Sequence, residues 1–203
     1  AQIVFIYDTA RLQNPPKSMS ELLAYAKAHP GRFTYPEPPD FLGSTFLKQA
    51  LLELTDQREA LQKPATDTNF GPVTAPLWVW LDEIRPHLWR QGLAYPQSMP
   101  ALRQLLADGE IDIAFSFNPN DASAEIERGN LRDTVRTYVL AGGTIGNTHF
   151  VAIPYNASAK EGAQVIANFL LSPEAQAHKQ DLAIWGDSTV LALDKLSPTD
   201  RAW

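Results

Sequence analysis

The sequence predicts an α/β protein with a mostly parallel sheet flanked by helices. Two patterns carry this expectation. Short apolar runs of strand length (Ile3 to Tyr7, Phe33 to Tyr35, Ile111 to Phe117, Thr134 to Leu140) alternate along the chain with helical stretches, and such alternation folds into strand–helix–strand units. Several of the helical stretches also open on capping spacing, as at Ser18-Met19-Ser20-Glu21 and Ser158-Ala159-Lys160-Glu161.

Taken in order, Ile3 to Tyr7 reads as a buried strand, followed by a polar, proline-containing connection from Leu12 to Pro16. A helix then carries Leu22, Leu23 and Ala26 and stops at Pro30-Gly31. Phe33 to Tyr35 is a short strand. The proline-rich stretch FTYPEPPDFLGSTF leads from it into a helix expected from about Ser44, with Phe46, Leu47, Ala50, Leu51 and Leu54 on one face. Gln57 to Thr74 is polar and reads as loop. Pro76 suits the first turn of the next helix, whose stripe is Leu77, Trp80, Leu81, Ile84 and Leu88, and Pro86 should break it near Ile84. Ser98 and Pro100 open a helix ended by Asp108-Gly109. In Ile111 to Phe117 the apolar residues Ile111, Ile113, Phe115 and Phe117 alternate with Asp112, Ala114 and Ser116. A short helix should end near Gly129, and a strand should follow from Thr134 to Leu140. Gly142-Gly143-Thr144-Ile145-Gly146 is a hinge or turn. His149 to Ile153 and Val190 to Leu193 read as further strands, and helices carry Val165, Ile166, Phe169 and Leu170 and then Ser172-Pro173-Glu174.

The 203 residues suffice for one large domain or two modest ones. The formal charge of −6 argues against non-specific binding to nucleic acid or anionic lipid, which need basic patches. No apolar run approaches the length of a membrane helix, so no direct membrane insertion is expected. The chain has no Cys, so neither a disulfide framework nor a thiolate site is available. No signal-peptide pattern stands at the start. Ala1 runs straight into QIVFIY and the chain stops at Arg201-Ala202-Trp203, which together suggest a fragment of a longer protein.

His29, His87, His149 and His178 are scattered without metal-ligand spacing, so neither a metal site nor a cofactor is expected. Gly43-Ser44 follows a strand and opens a helix, as a nucleophile would, but the GxSxG pattern is absent and no His is placed to serve it. Glu125 and Glu127 read as a solvated helix face, and Asp112 as a carboxylate able to cap a loop or form a salt bridge. What remains is a binding architecture. In such sheets ligands sit beyond the carboxyl ends of the strands. Asp40, Gly43, Ser44 and Thr45 lie at a helix N-terminus that follows a strand, where free N–H groups and hydroxyls attract acceptors. Ser116 and Asn118 end a second strand in the same way. Trp185, before Gly186-Asp187, is an aromatic able to stack on a flat ligand.

The order of these segments resembles the second lobe of extracellular solute-binding proteins of ABC importers. The stretches that carry the likeness are PPKSMSELL followed by GRFTYP, then LADGEIDIAFS, and above all FVAIPYNASAKEGAQVIANFLLSPEAQ. Their order, rather than any one motif, makes the match, which covers most of the chain and lies nearest the thiamine- and iron-type branch. The resemblance implies periplasmic-binding-protein-like lobes hinged by crossing strands. Residues 1–145 would be a lobe-two unit with the first crossing, 146–180 the return crossing and part of lobe one, and 181–203 a tail packing back on lobe two. It further implies a periplasmic protein that captures a small-molecule solute and docks on an ABC permease and, through it, an ATPase. Tyr7, Asp8 and Thr9 at the first crossing and Asn147 and Thr148 at the second join the candidate site on this basis. Iron-type members use tyrosine ligands here, whereas Tyr155 is followed by Asn156, so thiamine or another small polar organic solute is expected. Two alternatives stay open: a small α/β hydrolase or transferase using Ser44, and the effector-binding domain of a transcription regulator.

Overall fold

The computed structural model describes residues 2–202. A three-stranded sheet forms its centre: β1 (Val4–Asp8), β2 (Ile113–Ser116) and β3 (Val135–Tyr138), in the order β2-β1-β3. Around it lie α1 (Met19–Ala28), α2 (Phe41–Leu54), α3 (Asp67–Ile84), α4 (Met99–Ala107) and α5 (Asp121–Glu127). The chain continues into α6 (Lys160–Leu170) and α7 (Pro173–Gln180).

The expected parallel sheet is corrected by the strand pairing. β1 is antiparallel to both neighbours, with Val4 opposite Ser116 and Tyr7 opposite Ile113 on one side, and Phe5 opposite Tyr138 and Asp8 opposite Val135 on the other. β2 and β3 therefore point the same way, and Phe33 joins them through a single parallel bridge to Ile113. The reason lies between β1 and Phe33. A helix alone would carry the chain back along the sheet and give a parallel neighbour. Here the extended connection after β1 makes one traverse, reaching Lys17, whose carbonyl accepts from the Ala141 N–H beyond the far end of β3. α1 then makes the second traverse and returns the chain to the end of the sheet where β1 stopped.

The core fills the space between this sheet and the helices. Phe5, Phe33, Phe46 and Phe115 are fully buried, and the Phe46 ring stacks on Phe115 at 4.9 Å and on Tyr35 at 5.1 Å. Such pairs add to the burial of their large apolar area. Trp80 of α3 is buried against them and donates its indole N–H to the Met19 carbonyl at 2.9 Å, so its one polar atom is satisfied. Among the described residues, the last apolar member of this core is Leu140. No residue of α6 is buried.

Three further expectations change. α2 starts at Phe41, not Ser44, because the Asp40 carboxylate accepts from the Leu42 and Gly43 N–H groups at 2.9 and 3.0 Å. Gln57 to Thr74 is not a loop. A 3-10 turn covers Arg58–Gln62, and α3 begins at Asp67 behind a capping box of Thr66 and Asn69. Two prolines, Pro72 and Pro76, lie inside α3, which is held by the continuous buried face Val73, Leu77, Trp80 and Ile84. The predicted break at Pro86 is present, since α3 gives way to a 3-10 turn at Arg85. Finally, His149 to Ile153 and Val190 to Leu193 form no strands. Phe150, Val151 and Val190 are exposed, and among the described residues no strand pairs with them.

Candidate functional site

The sheet has two ends, and they divide the candidate residues. At one end β2 delivers Ser116 and Asn118, α4 begins at Met99, and α2 begins beside them, with the exposed Phe41 ring packed on Phe117 at 5.0 Å. Both chain crossings also meet here. Gln2 bridges Gly146 in antiparallel fashion, Ile3 donates its N–H to the Ile145 carbonyl at 3.0 Å, and Thr144 donates its hydroxyl to the Ile3 carbonyl. Asp40, Gly43, Ser44, Thr45, Ser116, Asn118, Asn147 and Thr148 thus belong to this end. Tyr7, Asp8 and Thr9 do not. β1 runs opposite to β2, so its carboxyl end lies beside Ile113 and Val135, about 10–15 Å away along the strand. There Asp8 is buried, accepting from the Ala10 N–H and the Thr134 hydroxyl, while the Thr9 hydroxyl donates to the Thr134 carbonyl.

At the α2 N-terminus the donors expected to face a ligand are already engaged. Asp40 takes two N–H groups with its carboxylate and the Ser44 N–H with its carbonyl. The Thr45 hydroxyl donates to the Phe41 carbonyl, and Gly43 lies against the backbone of Pro36, whose carbonyl oxygen a Cβ at this position would strike. Among the described residues the Ser44 hydroxyl has no hydrogen-bond partner and no histidine base.

The space at this end is a cavity of about 430 Å³ between the β2–α5 region and the loop after α7. Its walls include Ser116, Phe117, Asn118, Arg103, Asp121, Glu125 and Arg128 on one side, and His149, Ile184, Trp185 and Asp187 on the other. Three hydrogen bonds hold the walls together. Asn118 donates to the Trp185 carbonyl at 3.4 Å, Asn120 to the Gly186 carbonyl at 2.8 Å, and Arg128 to the Leu182 carbonyl at 3.5 Å. The loop makes its turn at Gly186, whose φ of +73° favours glycine.

The electrostatics are tightly paired. Glu125, expected on a solvated face, is only 4% exposed and is held by Arg128 at 2.9 Å and Arg103 at 3.5 Å. Burial alone would raise its pKa, but the hydrogen bond from Asn130 and the two arginines hold it below the usual value. Asp121 shifts the other way. Burial raises it, and Arg103 at 3.1 Å only partly opposes that. Across the cavity, buried Asp187 lies 3.1 Å from Lys179 and 3.5 Å from His149. Arg128 and Glu125 are three residues apart, a local spacing, whereas Arg103 with Asp121 and Glu125, and His149 with Asp187, join positions that no local spacing announces.

The family comparison decides what this arrangement belongs to: the profile of bacterial extracellular solute-binding proteins matches residues 1–191. The chain belongs to that family. A relative, Protein YnjB of Escherichia coli (strain K12), is 45% identical over 201 residues, covering 99% of this chain and 52% of YnjB. Among solved structures, "Periplasmic thiamin binding protein" superposes with a TM-score of 0.59 at 18% identity, over 97% of this chain and 55% of its own. "Structure of Atu4243-GABA receptor" gives 0.58 at 16%, covering 98% of this chain and 55% of that one. A substrate-binding protein of an ABC transporter from Agrobacterium tumefaciens gives 0.54 at 18%, covering 99% and 54%. The fold is therefore that of the periplasmic binding proteins. The chain spans about half the length of the relatives it matches.

Proposed function

We propose that this chain is part of the solute-binding component of an ABC importer, outside the cytoplasmic membrane, which captures a small polar solute in a cleft and hands it to a permease driven by its ATPase. The observation that carries this reading is the cavity at the carboxyl end of β2, placed where the crossings at Gln2–Ile3 and Thr144–Gly146 run side by side. Two adjacent crossings make a hinge, and a solute in contact with both walls would favour closure. We keep the division into residues 1–145, 146–180 and 181–203. Its support is the end of the buried core at Leu140, the exposed α6, and the bonds that tie Leu182, Trp185 and Gly186 back to α5 and its approach. Of the expected residues, Ser116 and Asn118 line the cavity and Asn147 and Thr148 belong to the neighbouring crossing, and binding rather than turnover is proposed for them.

Thermal melting against a panel of thiamine and its phosphates, 4-aminobutyrate, amino acids, polyamines, sulfate and ferric iron tests the proposal. A solute that binds only the folded state raises the melting temperature, by about 2.7 kcal/mol of stabilisation at 100 times its Kd. A rise with one solute class supports the reading. No rise with any, in protein freed of carried-over ligand, overturns it.

A further inference from the structure

We infer that the solute held in this cleft carries a flat conjugated group with at most one positive charge, and that Trp185 is the surface on which that group stacks. This rests on the solute-binding reading above. Trp185 lines the cavity with 52% of its surface exposed, yet its loop is pinned. The Trp185 and Gly186 N–H groups both donate to the Asp181 carbonyl, at 2.9 and 2.8 Å, and the Trp185 carbonyl accepts from Asn118. Holding a large aromatic side chain in place while leaving half of it in water forgoes about half of its burial energy within the protein. A stacking partner would recover it. Two contacts are already made to this ring inside the protein: the Lys179 ammonium lies 5.2 Å from its centroid, and the tilted His149 ring lies 6.0 Å away, so the stacking area left to a solute is the remaining exposed half. Phe117, which rests on Phe41, belongs to the opposite wall, so the cavity has aromatic surface on two sides.

Charge then limits the class. Each charged side chain on the walls has an opposite partner within the protein: Arg103 with Asp121 and Glu125, Arg128 with Glu125, and Asp187 with Lys179 and His149. Among the described residues no cation on these walls is left over for an anion, and aromatic faces carry the negative end of their quadrupole. A dianion would be buried uncompensated, whereas a single cation or a neutral ring meets a favourable surface. The Ser116 hydroxyl accepts from the Asn118 N–H at 3.2 Å and contacts the Met99 sulfur at 3.6 Å, and it is buried, so it shapes this end of the cavity rather than the charge of its occupant.

Calorimetric titration of the protein at its full natural length tests this, with thiamine and benzyltrimethylammonium as flat cationic probes and 4-aminobutyrate and sulfate as non-aromatic ones. The flat probes are expected to bind more tightly. Trp185→Ala should weaken them about tenfold or more, and Trp185→Phe should restore much of the loss. Melting of both variants without ligand checks that they fold. Tightest binding by a non-aromatic solute, with an affinity that Trp185→Ala changes less than twofold, overturns this inference and leaves the solute-binding reading standing. Failure of every solute in the wider panel overturns both.

Discussion

Asp40 and Ser44 separate two accounts of the same helix end. The carboxylate of Asp40 satisfies two N–H groups that would otherwise lack partners, whereas Ser44 sits a turn inside the helix. Asp40→Ala should therefore lower stability by about 1 kcal/mol, and Ser44→Ala should stay within about 0.5 kcal/mol, as read from urea midpoints. Asp112 offers a pH test at the other end of the sheet. Burial would raise its pKa, but Arg32, which grips both carboxylate oxygens, and the Tyr25 hydroxyl at 2.7 Å hold it below its ordinary value of 3.8. A depressed native pKa means that the unfolded chain binds the proton more readily. The stability from this group is then present above about pH 3.8 and is lost as pH falls through the lower native value. Unfolding followed from pH 7 to 2 should show wild type more stable than Asp112→Asn at neutral pH, with the gap closing toward the acid end.

At the scale of elements, the sequence shows most helices because capping residues and apolar spacing are local. Ser18, Ser98 and Ser172 each cap the helix that they precede. The start of α3 was hidden because Gln57 to Thr74 is polar and Pro76 reads as a first-turn proline, although the capping box at Thr66 and Asn69 lies upstream. The direction of β1 could not be read at all, because it depends on how far the connection to Lys17 travels. The candidate site divides on the same ground. Ser116 and Asn118 were legible as a strand end, but the wall opposite them comes from residues 149 and 184–187, brought in by tertiary contacts alone. The seating of α2 gives a further test. Gly43 lies where a methyl group would meet the Pro36 carbonyl, so Gly43→Ala should destabilise by about 1–3 kcal/mol despite improving helix propensity. A lowered melting temperature would confirm the contact, and an unchanged or raised one would contradict it.

For the whole molecule, the main question is what covers α6. Val165, Ile166 and Phe169 lie on one face of an amphipathic helix, and all are exposed, Phe169 by 55%. Contiguous apolar surface of this kind marks an interface, and the proposed division assigns it to the other lobe. Phe169→Ser should shift the stability of the 203-residue chain by no more than about 0.5 kcal/mol, because nothing is lost there. In a protein of the relatives' length it should cost about 2 kcal/mol, because there the ring would be buried. Equal effects in both would contradict the division.

The central place of β1 also has a consequence for synthesis. Its segment QIVFIY is uncharged, proline-free and rich in β-branched and aromatic residues, yet the Thr134 hydroxyl that reaches Asp8 lies 126 positions downstream. At roughly 5–20 residues per second, the segment waits on the order of ten seconds for its partners on the ribosome. Throughout that interval it is an unpaired strand of the kind that seeds aggregation. Nascent chains stalled before Tyr138 has emerged should sediment or bind a holding chaperone, and chains stalled after it should remain free.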